Sequence, residues 1–173
     1  MSTRSYICKE NKDGTFTGIY CHSDGYLTYN GAMLIDHYND REKVEKLIGL
    51  GDLSCLYPNI EPDPSKEHSF DNRQRDVCVF YGRDRGEKDT EAREVKLEDL
   101  DSDLWIEYVY VYCKDDTWRY FENGHLKEGL KTVQDGVNDE YKLMGFSRPK
   151  DCYGFFTEED IKSLKMAEQA EMM

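Results

Sequence analysis

The sequence predicts an α+β fold: an antiparallel sheet of about five strands, built from hairpins, with several short helices packed on it. Two pairs of β-prone runs flank turn signals, "SYICKE" and "GTFTGIYCH" around "NKDG", then "LWIEYVYVYC" and "TWRYFEN" around "KDD". Apolar residues at helical spacing appear between these hairpins and again after the second. The 173 residues, 38% hydrophobic and 13% aromatic, suffice for one core, so residues 1–173 are expected to form a single compact domain.

In the first hairpin Asp13-Gly14 suits a two-residue type I′ turn. That turn pairs Lys12 with Thr15 and sets Cys8 opposite Ile19 and Tyr6 opposite Cys21. Ile7, Phe16, Tyr20 and His22 then share the other side. After Gly25, Asn30 offers a helix cap ahead of Met33, Leu34, His37 and Tyr38. A second helix begins at Asp40, carries the stripe Val44, Leu47 and Ile48, and stops at Gly51. Residues 57 to 76 hold three of the four prolines and read as a surface loop.

"DVCVFYGRD" is a buried-strand candidate. The excursion from about 87 to 103 follows, with eight acids against Lys88, Arg93 and Lys96, a net charge of -5. In the second hairpin Tyr108, Tyr110 and Tyr112 fall on one side and Trp105, Val109 and Val111 on the other. Both faces are bulky, which predicts a central position in the sheet. "GHLKEGLKTVQDGV" reads as a helix or helical turn. The terminal helix starts at Thr157 as cap, with Glu158, Glu159 and Asp160 in its first turn.

A formal net charge of -13 repels phosphate backbones, so direct nucleic-acid binding is not expected. The thirteen tyrosines and two tryptophans do not form a base-stacking platform without a basic groove. They suit a core and a protein interface instead. No apolar run long enough for a membrane span is present, nor the apolar segment of a signal peptide, which predicts a cytoplasmic protein. The six cysteines are scattered without a CxxC and are expected as reduced, packed thiols.

Three stretches carry candidate chemistry. In "CHSDGY", adjacent Cys21 and His22 point to opposite faces of a strand, so no metal site is assigned there, and no cofactor motif occurs. His22 and Asp24, with Tyr26 nearby, could act as an acid–base pair, although "SDG" also reads as a turn. In "FYGRDRGE", extended backbone would put Arg83 and Arg85 on one face, where two guanidiniums hold an anion. Against that, both can pair with surplus carboxylates. The third stretch is the acidic excursion, with Glu87, Asp89, Glu91, Glu94, Glu98, Asp99, Asp101 and Asp103 as candidate partner-binding residues.

The order and spacing of "TRSYI", "DGTFTGIYCHSDGYL", "NGAMLIDHYNDREKVEKLIGLGDLS", "HSFDN" and "FYGRDRGE" resemble a family of small phage and prophage accessory proteins. The resemblance covers about the first half of the chain. It implies a virus-derived protein acting in the cytoplasm of a bacterial host. Small acidic phage proteins resemble inhibitors that occupy the nucleic-acid-binding surface of a host defence protein, a CRISPR effector for instance. The expected function is therefore a non-enzymatic, anti-CRISPR-like inhibitor working through the acidic patch. The alternative is a nucleotide-binding sponge or nucleotide hydrolase using His22, Asp24, Arg83 and Arg85.

Overall fold

The structure is a computed structural model and describes residues 2–149, 151–154 and 156–172. Strands β1 (Ser5–Glu10) and β2 (Phe16–Cys21) form the first hairpin, but its register differs by one residue from the expected one. Ser5 pairs with Cys21, Ile7 with Ile19 and Glu10 with Phe16. The cause is the turn. The Asn11 N–H donates to the Thr15 carbonyl at 2.7 Å, and Gly14 sits at φ +86, so Lys12, Asp13 and Gly14 make a three-residue loop with glycine in the left-handed position. The Asn11 amide, bonded to the Thr15 and Thr17 hydroxyls, and Asp13, accepting from the Thr15 N–H and hydroxyl, hold this wider loop. A one-residue slip moves every side chain of a strand to the other face. Ile7 therefore joins Ile19 and Cys21, while Tyr6 and Cys8 join Phe16 and Tyr20.

The chain then makes a π-helical turn, Leu27–Gly31, running straight into α1 (Ala32–His37). Asn30 is not a cap. It is buried inside that turn, where its Nδ2 donates to Ser5 Oγ at 3.2 Å and lies 3.4 Å from Cys21 Sγ. Helix α2 (Arg41–Gly49) is built as expected. Asp40 accepts from the Glu42 N–H at 3.1 Å, Val44, Leu47 and Ile48 are buried, and Gly51 at φ +84 stops the helix.

Strand β3 (Leu53–Cys55) is followed by the irregular loop and by β4 (Val79–Phe80). The run "DVCVFYGRD" is a strand over those two residues only, because Tyr81–Arg85 turn into the short helix α3. Arg83 and Arg85 therefore do not share an extended face. Next come β5 (Arg93–Val95), α4 (Leu97–Asp101), β6 (Tyr108–Tyr112), β7 (Trp118–Glu122) and a 3-10 turn at Leu126–Glu128. Strand β8 (Lys131–Thr132), α5 (Val133–Met144) and α6 (Glu158–Met172) complete the chain. Thr157 caps α6 reciprocally with Asp160, as a capping box does.

The sheet has eight strands rather than five, in the order β4-β3-β2-β1-β6-β7-β8, with β5 beside the start of β2. It is mixed but largely antiparallel: β1 runs parallel to β6 and β2 parallel to β3, and the other pairings are antiparallel. The second hairpin places β6 centrally, with both faces covered. Tyr110, Tyr112, Trp118 and Tyr120 pack against residues of α1, α2 and α5, and Val109, Val111 and Phe121 pack against Leu97, Leu100 and Ile106. Trp105 does not join Val109 and Val111; it precedes the strand and is exposed. The six cysteines are free thiols, and burial pushes the Cys21 thiol up to about 12. Among the described residues no helix is long and apolar enough to cross a membrane.

Candidate functional site

His22 and Asp24 sit where β2 hands the chain to the π-helical turn. The His22 N–H donates to the Leu53 carbonyl at 3.1 Å, and its Nδ1 lies 2.8 Å from the Tyr20 hydroxyl. Asp24 takes the left-handed conformation at φ +54, its carbonyl accepts from the Asn30 N–H, and its carboxylate accepts from the Tyr26 hydroxyl at 3.4 Å. Among the described residues no hydrogen bond or ion pair joins His22 to Asp24 or either of them to Arg83 or Arg85.

Arg83 uses four of its five N–H donors on its own fold. They reach Asp84 Oδ1 at 2.9 Å, Asp84 Oδ2 at 3.2 Å, the Ile60 carbonyl at 2.7 Å and the Cys78 carbonyl at 3.0 Å. Asp84 also accepts from the Phe80 N–H at 2.8 Å and faces His68 Nε2 at 3.3 Å. The Gln74 N–H donates to His68 Nδ1, so the ring carries its proton on Nε2, toward Asp84 and the Cys78 carbonyl. With the side chains of His68 and Asp84 only 2% and 3% exposed, this His–Asp pair is a clasp that ties the long loop to α3. It has no nitrogen left for a substrate. Arg85 stacks on Phe70 and lies 3.8 Å from Glu87.

The acidic excursion divides into anchors and surface. Leu97 and Leu100 of α4 are buried under the sheet. Asp101 accepts from the Gly124 and Leu126 N–H groups, and Asp103 from the Trp105 N–H. Arg93 turns inward to Asp52 at 2.7 Å and to the Tyr6 hydroxyl at 2.8 Å. Glu87, Asp89, Glu91, Glu94, Glu98 and Asp99 remain exposed. Directly after them stand two large apolar side chains, Leu104 at 89% and Trp105 at 70% exposure. The Arg4 guanidinium lies 5.1 Å from the Trp105 ring centroid and covers one face of the indole.

A further cluster lies where the segment after α5 crosses the end of α1, at a site the sequence does not mark. Arg148 grips Asp36 with two N–H groups, and the Tyr153 hydroxyl donates to Asp36 Oδ2 at 2.6 Å. His37 Nε2 is 2.9 Å from that hydroxyl, and Asp151 Oδ1 is 3.4 Å from it. Burial pushes the Asp36 carboxyl up, but Arg148 and Tyr153 outweigh it and hold the group below the usual carboxylate range. Burial and Asp36 together raise the Tyr153 phenol, so it stays protonated. These residues border an open cleft lined by Ile35, Asp36, His37, Arg148 and Asp151.

Two pieces of chain 112 residues apart make this cluster, and neither "IDHY" nor "RPKDCYG" carries a motif. Comparisons with protein-family models, with curated proteins and with solved structures find no match.

Proposed function

We propose that the protein is a non-enzymatic inhibitor that docks through Leu104, Trp105 and the surrounding carboxylates onto a basic, nucleic-acid-binding surface of another protein. The observation that carries this reading is the exposed Leu104–Trp105 pair next to the most acidic stretch of a strongly acidic chain. Tryptophan, with tyrosine and arginine, is enriched among the energetic anchors of protein interfaces, and a rim of one charge steers a partner of the other. Arg4, stacked on the indole, holds the ring in place before binding. Exposed carboxylates of Glu94, Glu98 and Asp99 supply the rim. The likeness of the first half to phage accessory proteins supports a host defence protein, such as a CRISPR effector, as the partner.

The test is capture of partners by the tagged protein from nuclease-treated bacterial lysate, followed by affinity measurement with the recovered protein. A single basic, nucleic-acid-binding protein is expected. Trp105→Ala should weaken binding roughly 30-fold or more, the size of an interface hot spot. Reversing Glu94, Glu98 and Asp99 to lysine should slow association and reduce its salt dependence. Asp101 stays unchanged because it holds two backbone amides. A partner that binds both variants as tightly as the parent protein refutes the proposal.

A further inference from the structure

We propose that Asp36, His37 and Asp151 form a binding site for a divalent transition-metal cation of the zinc type, at the crossing of α1 and the segment that follows α5. The site is distinct from the Leu104–Trp105 surface.

One ligand atom from each of the three residues lies within 4.8 Å of the others, from two directions in the chain. Their meeting point is filled by the Tyr153 hydroxyl, which has too few protons for the role. Its single proton goes to Asp36 Oδ2 at 2.6 Å, so it accepts from His37 Nε2–H at 2.9 Å. Asp151 Oδ1, 3.4 Å from the hydroxyl oxygen and 3.9 Å from His37 Nε2, is left facing them without a proton to share. A cation is the group that all three donors can satisfy at once.

Imidazole nitrogen and carboxylate oxygen are both donor types that zinc takes, at about 2.0–2.2 Å and in tetrahedral geometry. Such a tetrahedron has edges of about 3.3 Å, so the ligands must close in from their present spacing. Asp151, whose side chain is 61% exposed, is free to supply that movement. For His37 to bind through Nε2 its proton shifts to Nδ1 and the ring stays neutral. The Tyr153 hydroxyl gives up that nitrogen and keeps Asp36, and water takes the fourth position. Arg148 remains on Asp36 as the outer hydrogen-bond partner that carboxylate ligands usually have. The bound ion would tie residue 151 to the end of α1.

The test is titration of metal-free, full-length protein with Zn2+ alone, followed by calorimetry and by thermal melting. One equivalent should bind, and Tm should rise by roughly 5 to 10 °C when free zinc is a hundredfold above Kd. His37→Ala and Asp151→Asn should each abolish both signals, and the exposed position of Asp151 makes that variant safe for the fold. Tyr153→Phe should still bind zinc, because the hydroxyl is not one of the ligands. Magnesium at the same concentration should leave Tm unchanged. The proposal fails if zinc to millimolar concentration gives neither heat nor shift. It fails equally if the shift survives in Asp151→Asn, if magnesium reproduces it, or if Tyr153→Phe loses it.

Discussion

Replacing Arg83 by alanine is expected to destabilise the fold severely, whereas the same change at Arg85 is nearly silent. Arg83→Ala removes four donated hydrogen bonds and leaves the Ile60 and Cys78 carbonyls without those donors. It also strips the charge partner from Asp84, which is 3% exposed. Breaking a buried ion pair from one side costs about 3–5 kcal/mol. The Arg83 side chain is 22% exposed, so water can enter the vacated space, and the lower end, about 3 kcal/mol, applies. At about 2–4 °C per kcal/mol for a chain of this size, Tm should fall by about 6–12 °C. Arg85 has an exposed pairing with Glu87 at 3.8 Å and an exposed stacking contact on Phe70, together worth about 1 kcal/mol, and its Tm should move by less than about 4 °C. Thermal and urea unfolding followed by circular dichroism measure both. An Arg83→Ala protein melting within about 2 °C of the parent, or an Arg85→Ala protein falling as far as Arg83→Ala, refutes the assignment of Arg83 to the clasp. An anion-binding role for these arginines makes the opposite forecast, two folded variants that lose a ligand.

Gly136→Ala in α5 tests packing against propensity. Alanine favours the helix by about 1 kcal/mol, but its Cβ would lie 2.6 Å from Tyr120 Cε1 and 2.7 Å from the hydroxyl, and such overpacking costs about 1–3 kcal/mol. Net destabilisation is expected in urea unfolding, and a stabilised variant contradicts the close approach of helix and sheet. Glu140→Gln tests electrostatics. Burial, then Glu122 and Asp139, raise the Glu140 carboxyl above its ordinary value, so its folded form favours the proton and its contribution to stability is lost as pH rises through the folded value. The glutamine variant should therefore melt higher than the parent at pH 7 and lose that advantage at pH 4. An advantage that is equal at both values refutes the sign.

Much of the architecture was legible because long periodic runs report it. The second hairpin, the stripe of α2 with its Asp40 cap, and the Thr157 cap of α6 all follow from spacing and capping chemistry. What spacing does not report is a strand of two or three residues, and β3, β5 and β8 are of that kind. The slip in the first hairpin came from side chains of the loop, since "NKDG" fits a two-residue and a three-residue turn equally until the Asn11 and Asp13 hydrogen bonds are known. In "FYGRDRGE" the helix wins because Asp84 must reach back to the Phe80 N–H, a requirement of tertiary structure. The crossing of Asp36 and His37 with Arg148, Asp151 and Tyr153 was not legible at all, for it depends on how a whole sheet and helix layer return the chain to its earlier part.

The acidic excursion is more than a solvated, charged loop, and its anchoring bears on what it can do. Its apolar positions, Leu97 and Leu100, close the second face of the sheet over Val109, Val111 and Phe121. Val95 pairs with Phe16 at the edge of β2. Asp101 and Asp103 spend their carboxylates on backbone amides that fix the following turn, and Arg93 is drawn away from the surface by Asp52. The segment thus sorts its residues by function. Those that hold it point inward, and the remaining carboxylates, with Leu104 and Trp105, point outward from a backbone already ordered. A disordered acidic tail of the same charge would lose several kcal/mol of binding free energy to ordering. In the proposed docking, a segment pinned at Leu97, Leu100 and Asp101 would avoid most of that loss. If the proposed docking holds, loosening the anchor weakens it without touching Trp105 or the exposed carboxylates, and Leu97→Ala is the change that separates rigidity from charge.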